Sequence, residues 1–375
     1  FLTAAELLRS YVFTGFPWAL TSYIWIETPL YQLAAIVGPH GLSFATFLLG
    51  ALIALGLMRR HVVGLLASAA GLAGALFYGS TLQNAPVAGD NRPSPVVRLI
   101  QPNAEQRQKW DPEFIPVFYQ RQLALSRAAA PVTPDLVIWP EVAVPFFLNH
   151  PAAPLAEISQ AANGAPVILG VQRWDGARAF NSLAVIAQGG EIQDVYDKRH
   201  LVPFGEYLPA SALLGKIGLR ALAAQFGTGY SSGTGPRLLD LGELGTVLPL
   251  ICYEGIFPHE IRNVEARPDW MLLITNDAWF GKFSGPAQHF AQARARTIEM
   301  GLPMVRVANT GISAVIDARG RVVDSLPLGV AGSIDVALPK AADATIYWRT
   351  GDLPAGLALL FTVFFAWRFR SAVID

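Results

Sequence analysis

Three side-chain types that together can carry acyl transfer through a thiol stand at separated points of the chain: Glu141, Lys198 and Cys252. Cys252 closes the apolar run TVLPLIC and is followed by Glu254, Gly255 and the helix-like IFPHEIRNV. At a strand-to-helix turn a thiol is presented in a sharp bend, where the next backbone N–H groups can meet a developing oxyanion. Cys252 is the chain's single cysteine, so it forms no internal disulfide and is either core packing or chemistry. Taken alone, such a residue is more often packing. Glu141 follows DLVIWP, at the C-terminal mouth of a buried strand, where α/β domains place their sites and where a carboxylate can take a thiol proton. Lys198 lies in YDKRHLVPFGEYLP, directly after a strand and close to Glu206. Taken alone, such a lysine is more often solvated, since lysine is rarely buried unless paired.

The elements that must hold these groups read as an α/β domain. Short β-branched runs at 96–100, 136–139, 167–171, 182–187, 247–252, 271–275 and 304–307 predict strands. Several lack polar alternation, as strands buried on both faces do, and helical stretches at 112–130, 154–162 and 286–300 are available to cover them. Two hairpins are expected, one turning at Gly189-Gly190 and one at Ala318-Arg319-Gly320.

Composition adds a second environment. Hydrophobic residues make up 52% of the chain and charged residues 15%, which points to lipid-facing segments. Uncharged stretches at 41–58 and 62–80 flank Arg59-Arg60-His61 and predict a transmembrane hairpin. A third apolar stretch at 353–367, extended by Trp348 and bounded by Arg368 and Arg370, is expected to anchor the C-terminus. Both basic clusters then lie on the cytoplasmic side, with the intervening region outside. Residues 7–26, with Arg9, Pro17, Trp18 and Trp25, fit an interfacial or re-entrant element. The expected division is a membrane region at 1–85, an extracytoplasmic catalytic domain at 86–345, and a C-terminal helix with a cytoplasmic tail at 346–375. Lys+Arg and Asp+Glu are equal at 28 each, which leaves no basic field to hold nucleic acid. Six scattered histidines offer no metal-ligand spacing.

WPE at 139–141, YDKRHLVPFGEYLP at 196–209 and ICYEG at 251–255 together resemble the nitrilase, or carbon-nitrogen hydrolase, superfamily. The superfamily's sites carry a Glu-Lys-Cys triad in this chain order. Within it, the chain is similar to the apolipoprotein N-acyltransferase family. The carrying motifs are HLVPFGEYLP at 200–209, ELLRSYVFTGFPW at 6–18, TNDAWFG at 275–281, GPAQHFAQARARTIE at 285–299 and ANTGISAVID at 308–317. The resemblance covers nearly the whole chain and implies an αββα sandwich joined to transmembrane helices of a bacterial inner membrane, with no cofactor. Members carry further membrane helices ahead of the segment at Glu6, so the sequence is expected to begin inside that array.

The resemblance also implies roles. Glu141 deprotonates Cys252, whose thiolate takes a fatty acyl group from a phospholipid. The amine of a diacylglyceryl apolipoprotein then accepts it. Lys198 stabilises the oxyanion, Glu206 holds Lys198, and Tyr253 and Glu254 line the pocket. Asn181 and Trp279 belong to matching motifs without a defined role. His200 and His289 are expected to be structural. The lipid-facing mouth is expected at 142–148 and at 213–226, the latter with Lys216 and Arg220 at headgroup height. Two other readings stand: a tethered amidase acting on a soluble amide, and an inactive lipoprotein-binding scaffold that does not need Cys252.

Overall fold

The computed structural model describes residues 1–87, 93–150, 153–209 and 229–368. The stretch at 213–226 and Arg370 lie outside them.

The chain opens with α1 (Leu2–Tyr11) and two 3₁₀ turns, Thr21–Trp25 and Pro29–Leu33. These lead into α2 (Ala34–Met58) and α3 (Val62–Asn84). Both helices are long and apolar enough to cross a membrane. Helix α2 is kinked at Gly38, whose φ of 73° only glycine adopts readily; a Cβ there would lie 2.3 Å from the Tyr347 ring.

The next elements in chain order are β1 (Val96–Gln101), α4 (Ile115–Arg127), β2 (Leu136–Ile138), α5 (Leu155–Ala161), β3 (Val167–Asp175), β4 (Arg178–Ile186) and β5 (Ile192–Asp197). The second half brings β6 (Leu239–Asp240), β7 (Thr246–Ile251), α6 (Pro258–Ile261), β8 (Trp270–Thr275), α7 (Gly285–Met300), β9 (Met304–Ala308), β10 (Ser313–Ile316), β11 (Val322–Leu326) and β12 (Gly332–Ala337). Helices α8 (Ile346–Thr350) and α9 (Leu353–Arg368) follow.

Two six-stranded sheets form, ordered β12-β1-β2-β3-β4-β5 and β11-β10-β9-β8-β7-β6. Strands β1, β2 and β3 are parallel, as are β7, β8 and β9; the outer pairs are antiparallel. The apolar runs explain the layering. Val97, Leu99, Leu136, Ile138 and Ile168 point from the first sheet toward Val247, Ile251, Leu272 and Ile274 of the second. The alternate residues Val137, Trp139, Val167 and Leu169 face α4 and α5, while Leu248, Met271 and Leu273 face α7 and α8. Each such side chain contributes about 1.5–3 kcal/mol by leaving water. The result is the expected αββα sandwich, with the ends of β2, β5 and β7 converging on one rim.

Two expectations change. Cys252 does not belong to β7; it opens a 3₁₀ turn, Cys252–Ile256, and only Pro258–Ile261 of IFPHEIRNV is α-helical. Trp348 does not extend the last apolar helix. It packs in α8 on the outer core of the second sheet, and Gly351, at φ 59°, separates it from α9. The segment at 7–26, whose path the sequence left open, touches the sandwich where Trp18 lies on Tyr253, Ile256 and Phe257, and Thr21 donates to Glu6 within the N-terminal region.

Candidate functional site

Cys252 sits one residue beyond β7 at φ 52°, the left-handed region that a side chain with a Cβ enters only under constraint. The constraint is visible. Glu254 turns its buried carboxylate back into the fold: Oε2 accepts from Ile251 N at 2.7 Å, and Oε1 accepts from Tyr196 OH at 2.8 Å, Arg199 N at 2.8 Å and His200 N at 3.2 Å. One side chain thus staples the Cys252 turn to the loop after β5. Burial holds the Glu254 carboxyl above its ordinary value despite these donors. Its oxygens are taken by its own chain and do not line open space.

Glu141 follows β2 and is 5% exposed. The loop that carries it lies directly on β3, because Gly170 has no side chain; a Cβ there would meet Pro140 O at 2.4 Å and Glu141 Cα at 2.6 Å. Glu141 Oε1 accepts from Asn181 Nδ2 at 2.8 Å, and Oε2 accepts from Asn276 N at 2.8 Å. Lys198 Nζ lies 3.6 Å from Oε1.

Lys198 leaves the end of β5, pinned by its N–H to Asn181 O at 2.8 Å, and is 1% exposed. Its ammonium donates to Glu206 Oε1 at 2.9 Å, and Glu206 Oε2 accepts from Val202 N at 2.8 Å. Burial alone would push Lys198 down. Glu206, Glu141 and Cys252 outweigh it, and the ammonium is held well above the usual lysine range. Asn181 joins the two carboxylates, since its Nδ2 also donates to Glu206 Oε1 at 3.1 Å.

The sulfur completes the cluster electrostatically. Burial and then the Glu141 charge push the Cys252 thiol up, while Lys198 and a hydrogen bond with Thr275 oppose them. A thiol in this state is protonated at neutral pH and reacts only when a base removes its proton as it attacks.

The other expected residues are placed differently. Tyr253 donates its hydroxyl to Gly15 O at 3.3 Å and lies edge-on to His200 and Phe257, tying the N-terminal segment to the Cys252 turn. Trp279 is 62% exposed and stays out of the buried cluster. His200 pairs with Glu260 and stacks on Phe257; His289 pairs with Asp277. In the stretch at 142–148, Val144 and Leu148 pack into the outer core with Trp139 and Ile158, Phe146 and Phe147 are half-buried and Pro145 is exposed.

Four contributors are additional to that reading. Asn276 reaches Glu141 through its backbone N–H, which no side-chain pattern reports. Thr275 and Asp277 flank it: Thr275 Oγ1 donates to Asp277 Oδ1 at 3.0 Å, and Asp277 also binds His289 and Arg306. The Arg306 and His289 charges overcome burial and hold the Asp277 carboxyl well below the usual range. All three residues sit in or beside the TNDAWFG motif, which was their available signal. Lys109 had none. It is buried with Nζ 3.4 Å from Glu141 O, and burial pushes it down to about 8, against the pull of Glu141.

Comparison with known proteins agrees with this architecture. The carbon-nitrogen hydrolase family profile matches residues 97–347, and the apolipoprotein N-acyltransferase N-terminal domain profile matches residues 1–52. An apolipoprotein N-acyltransferase of Bradyrhizobium diazoefficiens is 42% identical over 395 aligned positions, covering 99% of this chain and 72% of that protein. One of Rhodopseudomonas palustris is 41% identical, covering 95% and 70%. Among solved structures, a CN-hydrolase superfamily protein of Xanthomonas campestris aligns with TM-score 0.49 at 22% identity, over 71% of this chain and 97% of that one. The chain belongs to the apolipoprotein N-acyltransferase family of the carbon-nitrogen hydrolase superfamily.

Proposed function

We propose that this acyltransferase moves a fatty acyl group from a phospholipid to the α-amine of an S-diacylglyceryl cysteine at a lipoprotein N-terminus, through a thioester on Cys252. Glu141 takes the thiol proton as the sulfur attacks the ester carbonyl. Lys198 and the N–H groups of the 252–256 turn balance the oxyanion, and the proton passes to the departing glycerol oxygen, releasing a lysophospholipid. In the second half the amine attacks the thioester, Glu141 takes its proton, and the thiol is restored as the amide leaves. Glu206 and Asn181 keep the Lys198 ammonium and the Glu141 carboxylate in register.

The observation that carries this reading is the convergence of Glu141, Lys198, Glu206 and Asn181 in one buried hydrogen-bonded cluster beside Cys252. The contact of Tyr253 with Gly15 supports a site that opens toward lipid, because it sets the nucleophile turn against the segment that joins α1 to α2. We place residues 1–85 in and on the bacterial inner membrane, with Arg59-Arg60 cytoplasmic. The catalytic domain at 86–345 is then periplasmic, and the C-terminal helix at 346–375 returns through the membrane to a cytoplasmic tail.

Lysophospholipid release by the purified chain in phospholipid vesicles, with and without a diacylglyceryl-cysteine peptide, tests the reaction. Transfer requires a limited burst without acceptor and sustained turnover with it. Steady release without acceptor would instead make the protein a hydrolase.

A further inference from the structure

Helix α7 carries a guanidinium and a carboxylate that the proposed chemistry does not use. Arg296 and Glu299 are both 0% exposed and pair at 2.7 Å. Arg296 Nη1 donates to Ile256 O, the last carbonyl of the turn that Cys252 opens, at 2.7 Å. Its Nη2 donates to the Tyr23 hydroxyl at 2.9 Å, and the Tyr31 hydroxyl donates to Glu299 Oε1 at 2.7 Å. Tyr23 and Tyr31 belong to the two 3₁₀ turns that lead into α2. Ala295 and Ile298 of α7 pack beside them, against Leu30, Ala34 and Leu42. One unbroken chain of hydrogen bonds therefore joins the membrane-proximal turns to the nucleophile turn.

Fold stability alone does not account for this pair. Replacing a buried ion pair by apolar groups of similar volume is often neutral or stabilising. This one is also incompletely satisfied, since among the described residues Arg296 Nε and Glu299 Oε2 find no hydrogen-bond partner. What an apolar pair could not supply is a fixed donor to Ile256 O. Cys252 holds a strained φ of 52°, and its turn keeps that pose only if both ends are held. Glu254 holds the first end through Ile251 N, and Arg296 holds the last.

We propose that Arg296 and Glu299 are positioning residues that couple the seating of the membrane-proximal turns to the pose of the Cys252 turn. This rests on Cys252 being the nucleophile. The lipid-bound membrane segment fixes Tyr23 and Tyr31, these orient the ion pair, and the pair sets the pitch of the 252–256 turn.

The test uses the full chain in phospholipid vesicles and the double substitution Arg296→Met with Glu299→Met, which removes both charges together. Three quantities are read: the acyl-thioester formation rate at saturating phospholipid, the phospholipid concentration at half rate, and the rate of Cys252 alkylation by iodoacetamide. The expected result is a fall of roughly ten- to a hundredfold in the saturating rate, with unchanged half-saturation and a slower or shifted alkylation profile. A folded double variant that acylates at the wild-type rate, or one altered only in half-saturation, overturns the proposal. If that variant does not fold, Tyr23→Phe with Tyr31→Phe decides, because it removes hydroxyls alone. A slower saturating rate supports the coupling, and a wild-type rate overturns it. Were the wild-type chain to form no thioester, the acyltransfer reading would fail by itself, while the alkylation rates would still report on the strut.

Discussion

Lys198 Nζ lies 2.9 Å from Glu206 and 3.6 Å from Glu141, so the ammonium is held by the carboxylate that is not the proposed base. This unequal sharing leaves Glu141 able to accept a proton while keeping a cation beside it. Substituting Glu206→Gln should draw the ammonium onto Glu141 and pin the base in an ion pair. Thioester formation at saturating phospholipid is expected to fall by roughly 10²-fold, with the fold intact because glutamine still accepts from Val202 N. Single-turnover acylation of this variant checks it; a rate within twofold of wild type would remove Glu206 from the account.

Glu141 pushes the Cys252 thiol up, so removing its charge should act in opposite directions on two reactions of the same sulfur. In Glu141→Gln, iodoacetamide alkylation should shift to lower pH, since the thiolate is no longer repelled. Acylation by phospholipid should drop by about 10²–10⁴-fold for want of a base. In the wild-type protein, alkylation should keep rising above pH 9, the ordinary thiol value, without levelling there. Parallel changes in both reactions would mean that Glu141 acts only on the fold.

What the sequence disclosed, and what it hid, follows the range of the interactions. Glu141 and Cys252 each follow a short apolar run and Lys198 follows a strand, and strand ends are local features; that the three meet was implied by the family motifs that carry them, not by spacing alone. The strand β12 that pairs antiparallel with β1 was not legible, because Gly332–Ala337 alternates weakly and its partner lies more than two hundred residues away. Glu254 reads as a pocket residue beside the nucleophile, yet its acceptors serve Tyr196 and the loop after β5, a contact that only the folded chain creates. Lys109 was invisible for a simpler reason: a lysine in a polar loop reads as solvated, and only the α4 and Glu141 loops closing over it bury the side chain. Trp348 misled because the turn at Gly351, at φ 59°, separates its short helix from the apolar helix that follows, a backbone break that residue types do not report.

Asp277 should give the domain an acid-sensitive core. Its carboxyl is held below the usual range, so its contribution is complete above the unfolded value near pH 4 and is lost as pH falls through the lower folded value. Replacing it by asparagine leaves Arg306 buried without its carboxylate, at a cost of about 3–5 kcal/mol. Thermal unfolding from pH 7 down to pH 3 should show a steep loss below pH 4 in the wild-type protein and a shallower one in the variant. Identical slopes would contradict the assignment.

Lys109 predicts the reverse. Its folded value, about 8, lies below the unfolded one, so the unfolded chain binds the proton more tightly, and the penalty is complete below pH 8 and fades toward pH 10. Lys109→Met should therefore raise the unfolding midpoint at pH 7, by roughly 2–4 °C for each kcal/mol released, with a gain that shrinks as pH rises. A midpoint lowered at every pH would show that the ammonium near Glu141 O stabilises the fold.

The central claim is that the Cys252 sulfur carries the acyl group, and intact mass spectrometry of the full chain after incubation with phospholipid addresses it most directly. The account predicts a mass increase of one fatty acyl group, released by hydroxylamine and absent from Cys252→Ala. An unmodified wild-type mass, or an adduct that persists in Cys252→Ala, would contradict it.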